Sequence, residues 1–160
     1  KQEIKELAGL IVAGASTDYE RLLRIHDWVA ENIYYDKDSY RAGQPRAKDA
    51  YGTLSNRKST CTGYSNLAAA LLRSIGIPSR VIRGHALGTS AAGKYWDEVD
   101  HSEPNHSWNE AFVDGRWVIL DTTRDSANKY EYGQFRQGRA KHAYFDPSLQ
   151  AFSHSHKIMQ

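Results

Sequence analysis

Ser59-Thr60-Cys61-Thr62-Gly63-Tyr64-Ser65 contains the only cysteine of this 160-residue chain. The apolar residues that begin in this stretch recur at three- and four-residue spacing, which predicts a mostly buried helix. They are Tyr64, Leu67, Ala68, Leu71, Leu72 and Ile75. Thr60 can cap the start of this helix, and Gly76 and Pro78 mark its end. Cys61 is therefore expected in the first turn.

This placement favours a thiolate at Cys61, because the start of a helix offers unpaired N–H groups and the positive end of the helix dipole. The neighbouring Asn56-Arg57-Lys58 adds positive charge, which would also lower the thiol pKa. Free cysteines are, however, often small core residues. The placement alone leaves a nucleophile and a core residue equally open, so the decision depends on finding a base.

Composition limits the other classes of function. The net charge is only +2 with neutral histidines, and the basic residues are dispersed, so we expect no nucleic-acid partner. A single cysteine excludes an internal disulfide and a multi-cysteine zinc site. No stretch is apolar enough for membrane insertion, and no signal peptide is visible. Residues 1–160 suit one domain, and the start at Lys1 suggests a piece cut from a longer protein.

Asp114-Gly115 gives the clearest hairpin signal in the chain. The flanking segments, 106–113 and 116–121, are rich in aromatic and β-branched residues. Asp-Gly suits a two-residue type I′ turn, which fixes the register of the two strands. That register places His106 and Asp121 as diagonal neighbours on the same face of the sheet as Trp108.

Other segments are predicted more coarsely. The pattern favours helices over 2–12 and from Asp18, capped by Thr17, to about Ile33. Residues 36–60 and 88–104 are interpreted as loops that border a substrate cleft, the second as a substrate gate or simply a linker. The remaining predictions are a strand at 79–85, a short strand at 143–145 and a helical turn from Pro147.

Several histidines raise the question of a metal site. His154 and His156 lie near the end of the chain without an identifiable third ligand, so solvated histidines are expected there. His26, on the second predicted helix, is interpreted as a packed or surface histidine. We predict no metal and no cofactor.

Cys61, His106 and Asp121 form a set of side chains with complementary chemistry. An imidazole can deprotonate a thiol and later protonate a leaving group. A carboxylate can fix the tautomer of that imidazole and stabilise its charged form. The backbone N–H of Cys61 can donate to a developing oxyanion.

The same segments resemble the transglutaminase-like superfamily from about Tyr19 to Thr123, and the tail resembles the end of its bacterial members. The matching motifs are Cys61-Thr-Gly-Tyr-Ser, Leu71-Leu72-Arg-Ser-Ile-Gly-Ile-Pro-Ser-Arg-Val, His106-Ser-Trp-Asn-Glu-Ala-Phe-Val-Asp-Gly-Arg-Trp and Asp121-Thr-Thr. The resemblance implies an α+β, papain-like core in which the nucleophile helix packs on an antiparallel sheet. It implies Cys61 as nucleophile, His106 as base and acid, and Asp121 as the orienting carboxylate.

The superfamily leaves the reaction open. A compact bacterial-type peptidase or amidase acting on a protein or peptide through a thioester is favoured, because no added β-domains or calcium loop are identifiable. The alternatives are a transglutaminase that joins glutamine to an amine, and a binding module without turnover. Tyr51 and Gln44 are candidates for a second oxyanion donor, and Trp108 for lining an acyl-binding cleft. The resemblance also suggests an extracellular or cell-surface protein, and the oligomeric state is open.

Overall fold

The computed structural model describes residues 1–43, 47–88 and 94–159, and its helices and strands are numbered here in chain order. The helices are α1 (Gln2–Ile11), α2 (Asp18–Asn32), α3 (Lys37–Ala42), α4 (Ala50–Asn56), α5 (Cys61–Ser74), α6 (Thr122–Asp125) and α7 (Leu149–Phe152). The strands are β1 (Tyr34–Asp36), β2 (Lys58–Ser59), β3 (Ser79–Ala86), β4 (His106–Val113), β5 (Arg116–Leu120), β6 (Lys129–Glu131), β7 (Gln134–Arg136) and β8 (His156–Ile158).

Helix α5 is the centre of the core, as its apolar periodicity predicts. It packs between α1 and α2 on one side and strand β4 on the other. Each fully buried aliphatic side chain in such a core contributes about 1.5–3 kcal/mol relative to an exposed one. The core includes Ile4, Ala8, Leu22, Ile25, Val29, Leu67, Leu71, Leu72, Ala111, Val113, Val118 and Leu120. The predicted α+β class, with the Cys61 helix packed on an antiparallel sheet, is confirmed.

That antiparallel sheet has the strand order β5-β4-β3-β8. Its central hairpin turns at Asp114 and Gly115, whose φ angles of 53° and 79° are both positive, as a type I′ turn requires. The ladder runs from Asn109↔Leu120 to Val113↔Arg116, which is the predicted register. The far edge is β8, which pairs with β3 and which the sequence did not predict.

Residues 36–60 are not the simple polar connection that was predicted. Two short helices begin there, and each is capped by an aspartate that accepts a backbone N–H. Asp36 accepts from Ser39 at 3.1 Å, and Asp49 accepts from Gly52 at 3.1 Å. Strands β1 and β2 flank them and join a second, mixed sheet of order β2-β1-β6-β7. Two-residue and three-residue strands leave too short a pattern to detect in a sequence.

Both predicted N-terminal helices are present. The Thr17 side chain caps α2 by accepting the N–H of Glu20 at 3.1 Å. On α1, Ala8 rather than Leu10 completes the buried face, and Leu10 is 76% exposed. Within the three described ranges, none of the helices combines the length and apolarity needed to cross a bilayer.

The tail after β5 differs from expectation. Phe145 makes one isolated bridge to Leu120 instead of forming a strand over 143–145. The predicted helical turn after Pro147 is α7, whose N-cap Ser148 accepts from the N–H of Ala151 at 3.1 Å. The chain then returns to the sheet as β8, which pairs with β3 at the edge. This strand places His156 against Asp121, the residue that follows β5.

Candidate active site

Cys61 is the first residue of α5, and its side chain is partly buried. Thr60 precedes it at the predicted N-cap position in extended conformation, but its side chain makes no capping hydrogen bond to α5. Gly63 lets the first turn approach its neighbours, because a Cβ atom there would lie 2.0 Å from Ser59 Oγ and 2.5 Å from Thr53 Oγ1. Close packing therefore fixes where the sulfur sits.

His106 begins β4, and Asp121 follows the last residue of β5. His106 Nε2 lies 2.7 Å from Asp121 Oδ2, so the predicted same-face contact across the hairpin is confirmed. The other carboxylate oxygen, Oδ1, accepts the backbone N–H of Arg124 at 3.1 Å, because Asp121 is also the N-cap of α6. Asp121 is completely buried. One residue thus begins a helix and anchors an imidazole.

Cys61 and His106 lie close enough for each to shift the pKa of the other. Because Nε2 is occupied by Asp121, Nδ1 is the nitrogen left for the sulfur. Burial would raise the pKa of Cys61, but the hydrogen bond and charge of His106 outweigh it and lower the pKa to about 7.

The pKa of His106 is shifted upward, opposite to that of Cys61. Burial would lower its pKa, but the charge and hydrogen bond of Asp121 raise it to about 9. Burial likewise works against ionisation of Asp121, yet His106 and His156 hold the pKa of its carboxyl well below the usual range. The arrangement favours a thiolate beside an imidazolium.

Ser107 is a site residue that the sequence analysis missed. Its backbone and its side chain both lower the pKa of Cys61 and so favour the thiolate. Its hydroxyl lies 3.0 Å from that of Ser65 on α5. Asn109, two residues further along β4, donates to the Ser65 carbonyl oxygen at 2.9 Å. Ser107 and Asn109 share a face of β4 with the buried, apolar Ala111 and Val113, and this pair of polar side chains was the available signal.

His156 corrects the prediction of solvated histidines at the end of the chain. It is only 3% exposed, and its Nε2 lies 2.8 Å from the same Asp121 Oδ2 that His106 contacts. The two nitrogens and the oxygen could in principle hold a metal ion. Their 2.7 and 2.8 Å separations suit hydrogen bonds, since ligands about 2.0–2.1 Å from a tetrahedral zinc lie roughly 3.3 Å apart.

Trp108 is buried behind the two imidazoles. Its ring stacks on His106 with centroids 5.9 Å apart and meets His156 edge-on at 5.1 Å. It also lines a cavity of about 640 Å³ beneath α7 and β8. These contacts make Trp108 a support for both rings, and its proposed role in an acyl-binding cleft stays a prediction.

The two candidate oxyanion donors stay predictions. Tyr51 lies on α4 and is 49% exposed. Gln44 lies outside the described residues, as does the 89–93 part of the predicted gate. Residues 96–98 of that segment form a single 3₁₀ turn.

His26 is packed in the interior, as predicted. Its Nε2 lies 2.8 Å from Asp125 Oδ2, and its Nδ1 lies 2.8 Å from Asp27 Oδ1. Asp125 belongs to α6, the short helix that Asp121 caps. His26 therefore anchors this helix to α2 and supports the site from outside.

Comparison with known proteins agrees with this architecture. The core model of the transglutaminase-like superfamily matches residues 5–122, and the chain belongs to that superfamily. The match contains Cys61, His106 and Asp121 but ends before His156. It therefore covers the helix–hairpin core and leaves the tail outside.

Among curated proteins, the chain is similar to kyphoscoliosis peptidase, with 27% identity to the mouse protein and 28% to the human one over 123 residues. The alignment covers 77% of this chain and 18% of each relative, so the chain spans less than a fifth of their length.

Solved structures share the fold. A proposed cysteine protease from Cytophaga hutchinsonii superposes with a TM-score of 0.61 at 27% identity, covering 77% of this chain and 37% of that one. The periplasmic domain of TgpA from Pseudomonas aeruginosa gives 0.55 at 19% identity, with coverage of 79% and 45%. The second likeness concerns the fold alone.

Proposed function

We propose that this chain is a cysteine-dependent hydrolase that cleaves peptide or glutaminyl amide bonds through a thioester, with Cys61, His106 and Asp121 as its catalytic residues. The observation that carries the proposal is the buried contact of Cys61, at a helix start, with a His106 ring held by Asp121 at 2.7 Å. This combination stabilises a thiolate near neutral pH.

In the first half of the reaction, the Cys61 thiolate attacks the amide carbonyl carbon and forms a carbon–sulfur bond. The carbonyl oxygen becomes an oxyanion, to which the Cys61 backbone N–H can donate. When the carbon–nitrogen bond breaks, the Nδ1–H of His106 gives its proton to the leaving amine. The products are a thioester on Cys61 and a neutral His106.

In the second half, neutral His106 takes a proton from water through Nδ1 while the water oxygen attacks the thioester. The carbon–sulfur bond then breaks, the acid is released, and the thiolate–imidazolium pair returns. A primary amine in place of water would give amine transfer by the same steps. Asp121 keeps Nε2 protonated throughout and so directs proton exchange to Nδ1.

Hydrolysis is favoured over amine transfer by the relatives with the higher identities, which are a peptidase and a proposed cysteine protease at 27–28%. Their names apply to proteins of which this chain matches only a part. We therefore propose the reaction type and leave the substrate at the level of a protein or peptide.

The test is to incubate the chain with an unfolded, glutamine-rich protein and a fluorescent primary amine. New amino termini, or free ammonia without amine incorporation, would support hydrolysis. Incorporation of the amine without new termini would replace hydrolysis with amine transfer. Cys61→Ala must abolish the reaction, whereas His154→Ala, at an exposed histidine, should retain it. Equal turnover by Cys61→Ala and the wild type would overturn the proposal.

A further inference from the structure

We propose that His156 is a positioning residue for this reaction. It holds the Asp121 carboxylate in place and limits how strongly that carboxylate stabilises the protonated form of His106. The inference rests on the proposed function. It starts from the observation that two imidazoles share one oxygen: His106 Nε2 and His156 Nε2 lie 2.7 and 2.8 Å from Asp121 Oδ2.

The tautomer of His156 is set by Asp121, whose carboxylate only accepts and therefore needs Nε2–H as donor. In the neutral ring Nδ1 is then the acceptor, and Ser155 Oγ lies 2.7 Å from it and can donate. His156 then donates to Asp121 as a neutral ring. Burial lowers the pKa of His156; the hydrogen bond and charge of Asp121 oppose this, but with the added charges of His106 and Arg124 the pKa stays lowered. A second positive charge on Asp121 is therefore disfavoured.

The ring has little freedom to leave this position. Phe152 of α7 stacks on it with centroids 3.9 Å apart and planes 18° apart, and Trp108 meets it edge-on. Gly84 of β3 allows β8 to approach, because a Cβ atom there would lie 2.2 Å from the Lys157 carbonyl oxygen. These contacts therefore hold the His156 ring of β8 against Asp121.

Sharing one oxygen has a chemical consequence. The Nε2–H of His156 donates to the same oxygen of Asp121 whose negative charge stabilises protonated His106. This second hydrogen bond partly neutralises that oxygen, so it limits how far the pKa of His106 rises. An imidazolium with too high a pKa is a poor acid toward the leaving amine. His156 thus holds the carboxylate in place, together with the Arg124 N–H, and keeps His106 a competent acid. The other titratable groups around the pair are Cys61, Arg124, Tyr144 and His85.

The test compares His156→Phe, which keeps a flat ring but removes the donor, with His156→Gln, whose amide N–H can replace it. His154→Gln is the matched surface control. Two measurements are made on each variant: the pH dependence of Cys61 alkylation by iodoacetamide, which needs no substrate, and kcat and KM for the substrate identified above.

We expect His156→Phe to lower kcat on the order of 10- to 100-fold with little change in KM, the effect of one hydrogen bond to a charged group. The upper inflection of the alkylation profile, set by His106 at about 9, should move to higher pH. His156→Gln should bring kcat and the upper inflection back toward the wild-type values. His154→Gln should have the same kcat and the same inflection as the wild type.

An unchanged upper inflection in a folded His156→Phe, or a His156→Gln variant as impaired as His156→Phe, would mean that the ring only packs. If His156→Phe does not fold, Ser155→Ala decides the matter, since it removes the donor to Nδ1 and should shift the inflection in the same direction by a smaller amount. A wild-type Cys61 that titrates as an ordinary thiol would instead overturn the proposed function itself.

Discussion

His106 turns one ring nitrogen to Asp121, at 2.7 Å, and the other to the sulfur of Cys61. The pKa of the thiol, about 7, then lies below that of the imidazole, about 9. Between these two values the dominant form is a thiolate beside an imidazolium.

This order of pKa values predicts a bell-shaped pH dependence of kcat/KM. Below about pH 7 Cys61 gains a proton and the nucleophile is lost, and above about pH 9 His106 loses the proton it gives to the leaving amine. In His106→Ala the opposing effect of burial and the smaller lowering effect of Ser107 remain, so the pKa of Cys61 should rise from about 7 toward the ordinary value of a thiol. Alkylation near pH 7 should fall on the order of 10- to 100-fold. An unchanged alkylation profile in His106→Ala would rule out the ion pair.

Asp121→Asn should remove the charge that holds His106 protonated and offer an amide N–H where an acceptor is required. By analogy with other triads, kcat/KM should fall roughly 10³- to 10⁴-fold. The upper limb of the pH profile should also move down from about 9, because the carboxylate raises the His106 pKa. Thermal unfolding of the same variant separates this effect from loss of structure. A retained upper limb would assign the high His106 pKa to another group.

Gly63→Ala should destabilise the fold, because the new Cβ would meet Ser59 Oγ at 2.0 Å and Thr53 Oγ1 at 2.5 Å. Overpacking of this kind costs about 1–3 kcal/mol. Gly9→Ala is the matched control at an exposed position of α1, where nothing lies within 4 Å of the added atom. Helix propensity predicts that Gly9→Ala raises the free energy of unfolding by up to about 1 kcal/mol. Urea unfolding would measure the change in the free energy of unfolding of each variant. Equal changes in Gly63→Ala and Gly9→Ala would contradict the prediction.

His26→Ala should lower the free energy of unfolding by roughly 3–5 kcal/mol, since it leaves the buried Asp125 without its imidazole partner. The exposed His142, which contacts Asp27 at 2.8 Å, supplies the control, and His142→Ala should cost less than about 1 kcal/mol.

The contribution of His26 should also depend on pH. Burial opposes its charge, but the hydrogen bonds of Asp125 and Asp27 raise its pKa in the folded chain. The stabilisation is therefore complete below the unfolded pKa of about 6.5 and is lost as the pH rises through the higher folded value. The difference in unfolding free energy between wild type and His26→Ala should narrow along that range. A difference that stays constant would show that His26 keeps one protonation state.

Local rules were enough to predict the parts of the site that depend on short-range order. Thr17 and the apolar repeat after Thr60 identify two helices, and Asp114-Gly115 fixes the register that brings His106 to Asp121. These features depend on backbone geometry within one helix or one hairpin. The contact of Cys61 with His106 was expected from chemistry and from resemblance, because nothing local brings α5 to β4.

The remaining features depend on tertiary packing. His156 looks like a surface residue in the sequence, and it is buried because β8 pairs with β3 and because Phe152 and Trp108 pack on its ring. The polar side chains of Ser107 and Asn109 mark one face of β4, but nothing in the sequence shows that α5 packs against that face. The aspartate caps at Asp36 and Asp49 were present in the sequence, but the helices they begin are too short to show periodicity.

The place of β8 in chain order has a consequence for biosynthesis. A ribosome releases the Cys61 helix first, the hairpin with His106 and Asp121 next, and the strand with His156 after both. The nascent chain can therefore hold a nucleophile and a base whose shared carboxylate still lacks its second imidazole. Without that second imidazole His106 is a poorer acid toward the leaving amine, so the nascent chain would turn over slowly until β8 pairs with β3.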